Sequence, residues 1–137
     1  MVVDGDGDGD GDGSATDADS HRQRRVLSFQ NLDVYRCAVE FLARAVEVSA
    51  RMPKGYAPLS EQLRRAALLG PLNIAEAAGR TSERDGARHY GIARGSAMEC
   101  AAIVDALKLL KVVTEDEHHA AVELLARIVA MLTKLCR

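Results

Sequence analysis

Six arginines crowd one stretch of this chain: Arg64, Arg65, Arg80, Arg84, Arg88 and Arg94. A guanidinium presents a planar fork of donors that matches two oxygens of a phosphate or carboxylate, so the chemistry on offer is anion recognition. Arg84 and Arg88 stand four residues apart and share a helix face, the kind of basic stripe a phosphate backbone engages. Arg64, Arg65, Arg84 and Arg88 are the candidate nucleic-acid-binding residues. Ion pairs with Glu61, Glu83 and Asp85 account for the same arginines without a partner, and spacing alone does not separate the two readings.

A second group is Asn73, Glu76 and Arg80. Asn73 and Glu76 are three apart and Glu76 and Arg80 four apart, so all three lie on one side of a helix beside the apolar Ile74 and Ala75. Such a group reads foremost as a structural polar cluster that sets how two helices meet, and secondarily as a ligand or subunit contact.

Other spacings carry less. Glu115-x-x-His118 has the form of a bundle metal site but occurs once, in the first turn of a helix, where His118 and His119 read as solvated. His89 falls in an arginine-rich turn. Asp8-x-Asp10-x-Asp12-Gly13, with Asp19 at the twelfth position, has calcium-loop spacing, yet no helix precedes it to preorganise the oxygens. There is no Ser/His/Asp or Cys/His arrangement and no glycine-rich phosphate loop after a strand. The expectation is a protein that is not an enzyme, with no metal and no cofactor.

The elements that must position these residues are helical. Of 137 residues, 47% are hydrophobic but only 4% aromatic, and Ala, Leu and Val dominate. That composition favours helix over sheet. The first twenty residues hold seven aspartates and no Lys or Arg, which leaves 18 basic against 13 acidic side chains in the remainder. Alternating Gly and Asp cannot bury a core, so residues 1–25 are expected to be a disordered acidic tail and 26–137 a single domain.

Within that domain the first helix spans about Asn31 to Met52, with a stripe of Leu32, Tyr35, Val39, Leu42 and Val46. Pro53, Gly55 and Pro58 form a connector, and Ser60 is the candidate cap of the second helix, which runs to Gly79 with a kink at Pro71. Thr81 or Ser82 caps a third helix that reaches about Lys111, and its Gly91 and Gly95 should face a neighbouring helix. Thr114 to Glu117 is a capping box that opens the fourth. Short connectors make the fold an all-α, antiparallel up-down-up-down four-helix bundle.

Cys37, Cys100 and Cys136 are odd in number and widely spaced, which argues against a disulfide framework and for a reducing compartment. The amino terminus lacks a basic and an apolar segment of the secretory kind, and no apolar run approaches the roughly 20 residues of a membrane span. A cytoplasmic location without membrane contact is expected.

The order FQNLDVY (Phe29–Tyr35), MPKGY at the Pro53 connector, QLRRA from Gln62, PLNIAE (Pro71–Glu76), RTSE (Arg80–Glu83) and YGIARGSAME (Tyr90–Glu99) resembles a known family. It is similar to the four helix bundle protein group, also called 23S rRNA-intervening sequence proteins and first noted in intervening sequences of bacterial 23S rRNA genes, over about Ser28 to Cys136. The resemblance implies a bacterial protein that assembles into a ring-like homopentamer. Accessory proteins of diversity-generating retroelements are similar barrels that bind nucleic acid and contact a reverse transcriptase. Asn73, Glu76 and Arg94 match the family pattern, so Arg94 joins the structural polar cluster. Ala77 stands where the family has Gly, which moves the expected helix end to Gly79.

The expectation is therefore a non-enzymatic homo-oligomeric bundle, an accessory factor that binds structured RNA or DNA; the alternative is a protein–protein assembly module. Because tail and bundle carry opposite charge, the tail should compete with nucleic acid for the arginines. Deleting residues 1–20 is expected to tighten RNA binding in fluorescence anisotropy, and unchanged affinity excludes the competition.

Overall fold

A computed structural model describes residues 26–137; the tail of residues 1–25, with its calcium-loop spacing, lies outside them. Four helices follow a short 3-10 turn at Ser28–Asn31: α1 Asp33–Ala50, α2 Ala57–Ala78, α3 Glu83–Leu109 and α4 Glu115–Leu135. Each of the pairs α1–α2, α2–α3, α3–α4 and α1–α4 is in contact, and no strand occurs among the described residues.

Cross-helix contacts give the direction of each neighbour. Ser49 bonds Ser60 while Ala38 packs at Gly70, so α1 and α2 run antiparallel. Gln62 bonds Glu99 while Asn73 bonds His89, so α2 and α3 do likewise. Lys108–Glu115 and Arg94–Thr133 give the same sense for α3 and α4.

The core is built from small and branched aliphatics. Leu63, Ile74, Cys100, Leu107 and Leu132 are fully buried, interleaved with Ala38, Ala45, Ala66, Ala67, Ala93 and Ala97. Small side chains at facing positions let helix axes approach closely, and the larger ones fill the layers between. Pro71 is buried in the middle of α2, and the helix is continuous through it.

Several local details differ from the spacing argument. In α1 the buried face is Val34, Cys37, Ala38, Phe41 and Ala45, while Val39 is 39% and Val46 49% exposed. The helix carries two adjacent apolar stripes: the one through Cys37, Ala38, Phe41 and Ala45 is buried, and of the other Leu32, Tyr35 and Leu42 are half-buried against the core. Helix α2 begins three residues before Ser60. Pro58 sits in its first turn, where a backbone N–H would have no intrahelical partner, and Ser60 turns to Ser49 of α1 instead of capping. Gly91 and Gly95 face open space. The close approach is at Gly86, where a Cβ would lie 3.2 Å from the Ala77 carbonyl oxygen.

The remaining ends are as their residues dictate. Gly79 closes α2, and Ser82 Oγ accepts from the Asp85 N–H at 3.2 Å to open α3. At the start of α4 the Glu117 N–H donates to Thr114 Oγ1 at 3.1 Å, and the Thr114 N–H donates to Glu117 Oε1 at 2.9 Å. Glu117 also bonds Arg51 of α1 at 2.7 Å. The Thr114 N–H and then Arg51 hold its carboxyl below the usual glutamate range, so its contribution is complete above that range and is lost as pH falls through the lowered value.

Helix α3 ends in a Schellman motif. Val112 N–H donates to Leu107 O at 2.9 Å and Lys111 N–H to Lys108 O at 3.0 Å, with Lys111 at φ 61°. That left-handed position favours glycine, and a side chain there is strained. Lys111→Gly is expected to raise stability by about 0.5–1 kcal/mol, read as a higher urea midpoint at unchanged slope.

Candidate functional site

The α2–α3 junction holds the polar residues that the sequence singled out, organised around a histidine that spacing did not flag. His89 is 7% exposed, within α3 and not in a turn, and its ring lies between two partners. Arg88 Nη2 approaches His89 Nε2 at 3.1 Å, and His89 Nδ1 approaches Asn73 Oδ1 at 3.2 Å. A guanidinium only donates, so Nε2 is the acceptor and Nδ1 carries the proton that Asn73 accepts. Asn73 Nδ2 in turn donates to the Leu69 carbonyl at 2.9 Å. Each member of this relay is polarised by the next, from Arg88 through His89 and Asn73 to the backbone of α2.

A surface network continues it. Arg80 lies 3.5 Å from Glu76 and 3.5 Å from Asp85, and Arg88 lies 3.3 Å from Asp85. Glu76 and Arg80 therefore pair with each other and with the first turn of α3, while Asn73 bonds His89. Arg94 stands apart from them: its Nε donates to Thr133 Oγ1 of α4 at 2.9 Å, and Thr133 passes the bond to Val129 O at 2.7 Å. It clamps α3 to α4.

The four candidate nucleic-acid contacts are all exposed but do not form one patch. Gln62 meets Glu99, whereas the Ala77 carbonyl meets Gly86. Arg64 and Arg65 thus lie level with the middle of α3, and Arg84 and Arg88 lie at its start. The interval from Arg65 to Ala77 alone is roughly 18 Å along the helix. Arg64, Arg65 and Arg84 enter none of the ion pairs among the described residues.

Other reactive groups are committed to structure. His118 is not solvated: its Nε2 donates to Asp105 Oδ1 at 2.7 Å and its side chain is 18% exposed, so it joins α4 to α3. Burial, with the adjacent Glu99 carboxylate, pushes the Cys100 thiol up to about 12, which keeps it protonated and poorly nucleophilic at neutral pH. No group of His, Cys, Asp and Glu among the described residues is arranged to hold a metal ion.

What the spacing missed is His89. The signal was present, because Gly86, His89, Ala93, Ser96, Ala97 and Cys100 are in helical phase and all buried. The surrounding arginines masked it.

Asn73→Leu and His89→Leu should each destabilise by about 1–3 kcal/mol, since each leaves a partner unpaired. In urea unfolding the double variant should cost less than the sum; additive losses would show the hydrogen bond to be energetically silent.

Among curated proteins none matches this chain. The family model described as 23S rRNA-intervening sequence protein matches residues 30–134. Those residues take in all four helices apart from the final residue, Leu135, and the chain belongs to the 23S rRNA-intervening sequence protein family.

Proposed function

We propose that the chain acts without catalysis, as a self-associating bundle that holds RNA or DNA by its phosphates. The observation that carries this reading is the exposed pair Arg84 and Arg88 on the first two turns of α3. Asp85 and His89 hold Arg88 in place, and Arg84 is free of ion pairs among the described residues. A guanidinium ordered by its neighbours loses less freedom on meeting a phosphate than a solvated one. Arg64 and Arg65 form a second contact farther along the same pair of helices.

Self-association has its own support. Val39 and Val46 are exposed on α1 beside the half-buried Tyr35 and Leu42, and Leu68 and Leu72 of α2 are 45% and 53% exposed. Ala38 packs at Gly70, so both groups flank the α1–α2 contact. Apolar side chains grouped on a water-soluble surface call for cover, and a second copy supplies it, consistent with the ring-like pentamer that the resemblance implies. No helix among the described residues is long and apolar enough to cross a membrane, and the proposal places the protein in the cytoplasm.

The test is fluorescence anisotropy on a structured RNA and a DNA duplex across a salt series, with the oligomer followed by light scattering. Arg84→Glu with Arg88→Glu should weaken binding at least tenfold and flatten the log–log salt slope by about 1–2, with the oligomer intact. Dissociation of the oligomer by the same pair, without RNA binding in the parent, would favour the reading in which these arginines serve protein–protein assembly alone.

A further inference from the structure

At the end of the bundle remote from the α2–α3 junction, α1, α4 and the α3–α4 turn leave a cleft of about 370 Å³. Its walls include Phe41, Val48, Leu63, Leu107, Val113 and Ala121. The cause is local: Ala45 of α1 and Ala120 and Ala121 of α4 all line it, and alanine side chains do not reach across to one another. Protein interiors are close-packed, and apolar walls offer water few hydrogen bonds, so an opening of this size is poorly served by solvent. Its volume falls in the range of small-molecule sites, roughly 300–1,000 Å³, and its composition fits them too: apolar walls and a few polar groups at the mouth.

The mouth carries Arg44, Glu47, Arg51, Asp116 and Glu117. Both cations are engaged, Arg44 by Glu40 at 2.9 Å and Arg51 by Glu117 at 2.7 Å. Glu47 and Asp116 enter no ion pair among the described residues. The uncommitted charge at the mouth is therefore negative, one carboxylate on α1 and one on α4. An anionic amphiphile would meet two free carboxylates and two occupied arginines.

From the apolar walls and these two carboxylates we infer that the cleft is a binding site for a small aliphatic amine, its hydrocarbon body against Phe41, Val48 and Leu107 and its ammonium at Glu47 and Asp116. This goes beyond the proposed phosphate contacts, which lie on other faces of the bundle. Hydrocarbon burial supplies the attraction, and the carboxylates supply the choice of head group.

The experiment titrates the full chain by calorimetry with octylamine, octanol and octanoate, each below its aggregation limit. Octylamine should bind saturably at one site per chain, at least tenfold tighter than octanol, with octanoate weakest. Glu47→Gln with Asp116→Asn, both at the exposed rim, should bring octylamine down to the level of octanol and leave octanol unchanged. Ala121→Leu, which fills the cleft, should abolish all binding in a chain whose helical circular dichroism is retained. If that variant does not fold, the rim pair alone decides. Equal affinity for octylamine and octanoate, or no saturable binding of octylamine, overturns the assignment. So does amine binding that survives the rim substitutions, because the aspartate-rich residues 1–20 remain in every variant and would account for it.

Discussion

The seating of α3 on α2 is the constraint on which the rest of the bundle depends. Small residues let the two helices come so close that Gly86 sits under the Ala77 carbonyl, where even a methyl group would crowd it. Apolar surfaces of Ala and Leu are nearly interchangeable along a helix and would tolerate a slide by one turn. A hydrogen-bonded histidine is not interchangeable. Displaced by a turn, His89 would bury its Nδ1 without Asn73, at the cost of an unmet polar group in the interior. Directional bonds thereby select one register from several that hydrophobic burial alone would accept.

The same logic recurs at each seam. Ser49 and Ser60 join α1 to α2, Arg94 and Thr133 join α3 to α4, and Arg51 and Glu117 join α1 to α4. Lys108–Glu115 and His118–Asp105 add to the α3–α4 seam, and each tie lies beside an alanine- and leucine-rich contact. Partly exposed ties of this kind contribute little individually, about 0–1 kcal/mol for an ion pair. Their value lies in direction and register. They also consume charge: Arg44, Arg51, Arg80, Arg88 and Lys108 all have carboxylate partners, so the arginines left without ion pairs include Arg64, Arg65 and Arg84. Arg88 is paired with Asp85 in its own helix and yet stays exposed, so it keeps donors turned to solvent.

The helices themselves were legible in the residues. Glycine at 79, serine at 82 and the Thr114–Glu117 box mark helix ends by local hydrogen bonding, which depends on neighbours three residues away. The core face of α4 was legible too, because Ala121, Leu124, Leu125, Ile128 and Leu132 recur in helical phase and are all buried, although Leu135 at the end of the same stripe is exposed. In α1 the sequence holds two stripes, Val39 and Val46 beside Ala38, Phe41 and Ala45, and no local rule prefers one over the other. Gly91 and Gly95 were just as ambiguous with Gly86, since all three permit a close approach and only a neighbouring chain determines which one is used.

What the sequence by itself determined is the number of helices, most of their ends, and the abundance of arginine along the second and third of them. Those properties follow from short-range periodicity, capping and composition. Tertiary structure alone decided which apolar stripe of α1 became core, that His89 and His118 became interhelical bonds, and that Arg64 and Arg65 stand apart from Arg84 and Arg88. It also opened the cleft between α1 and α4, where facing alanines fail to meet. Each of these depends on contacts between residues far apart in the chain, which helical periodicity does not encode.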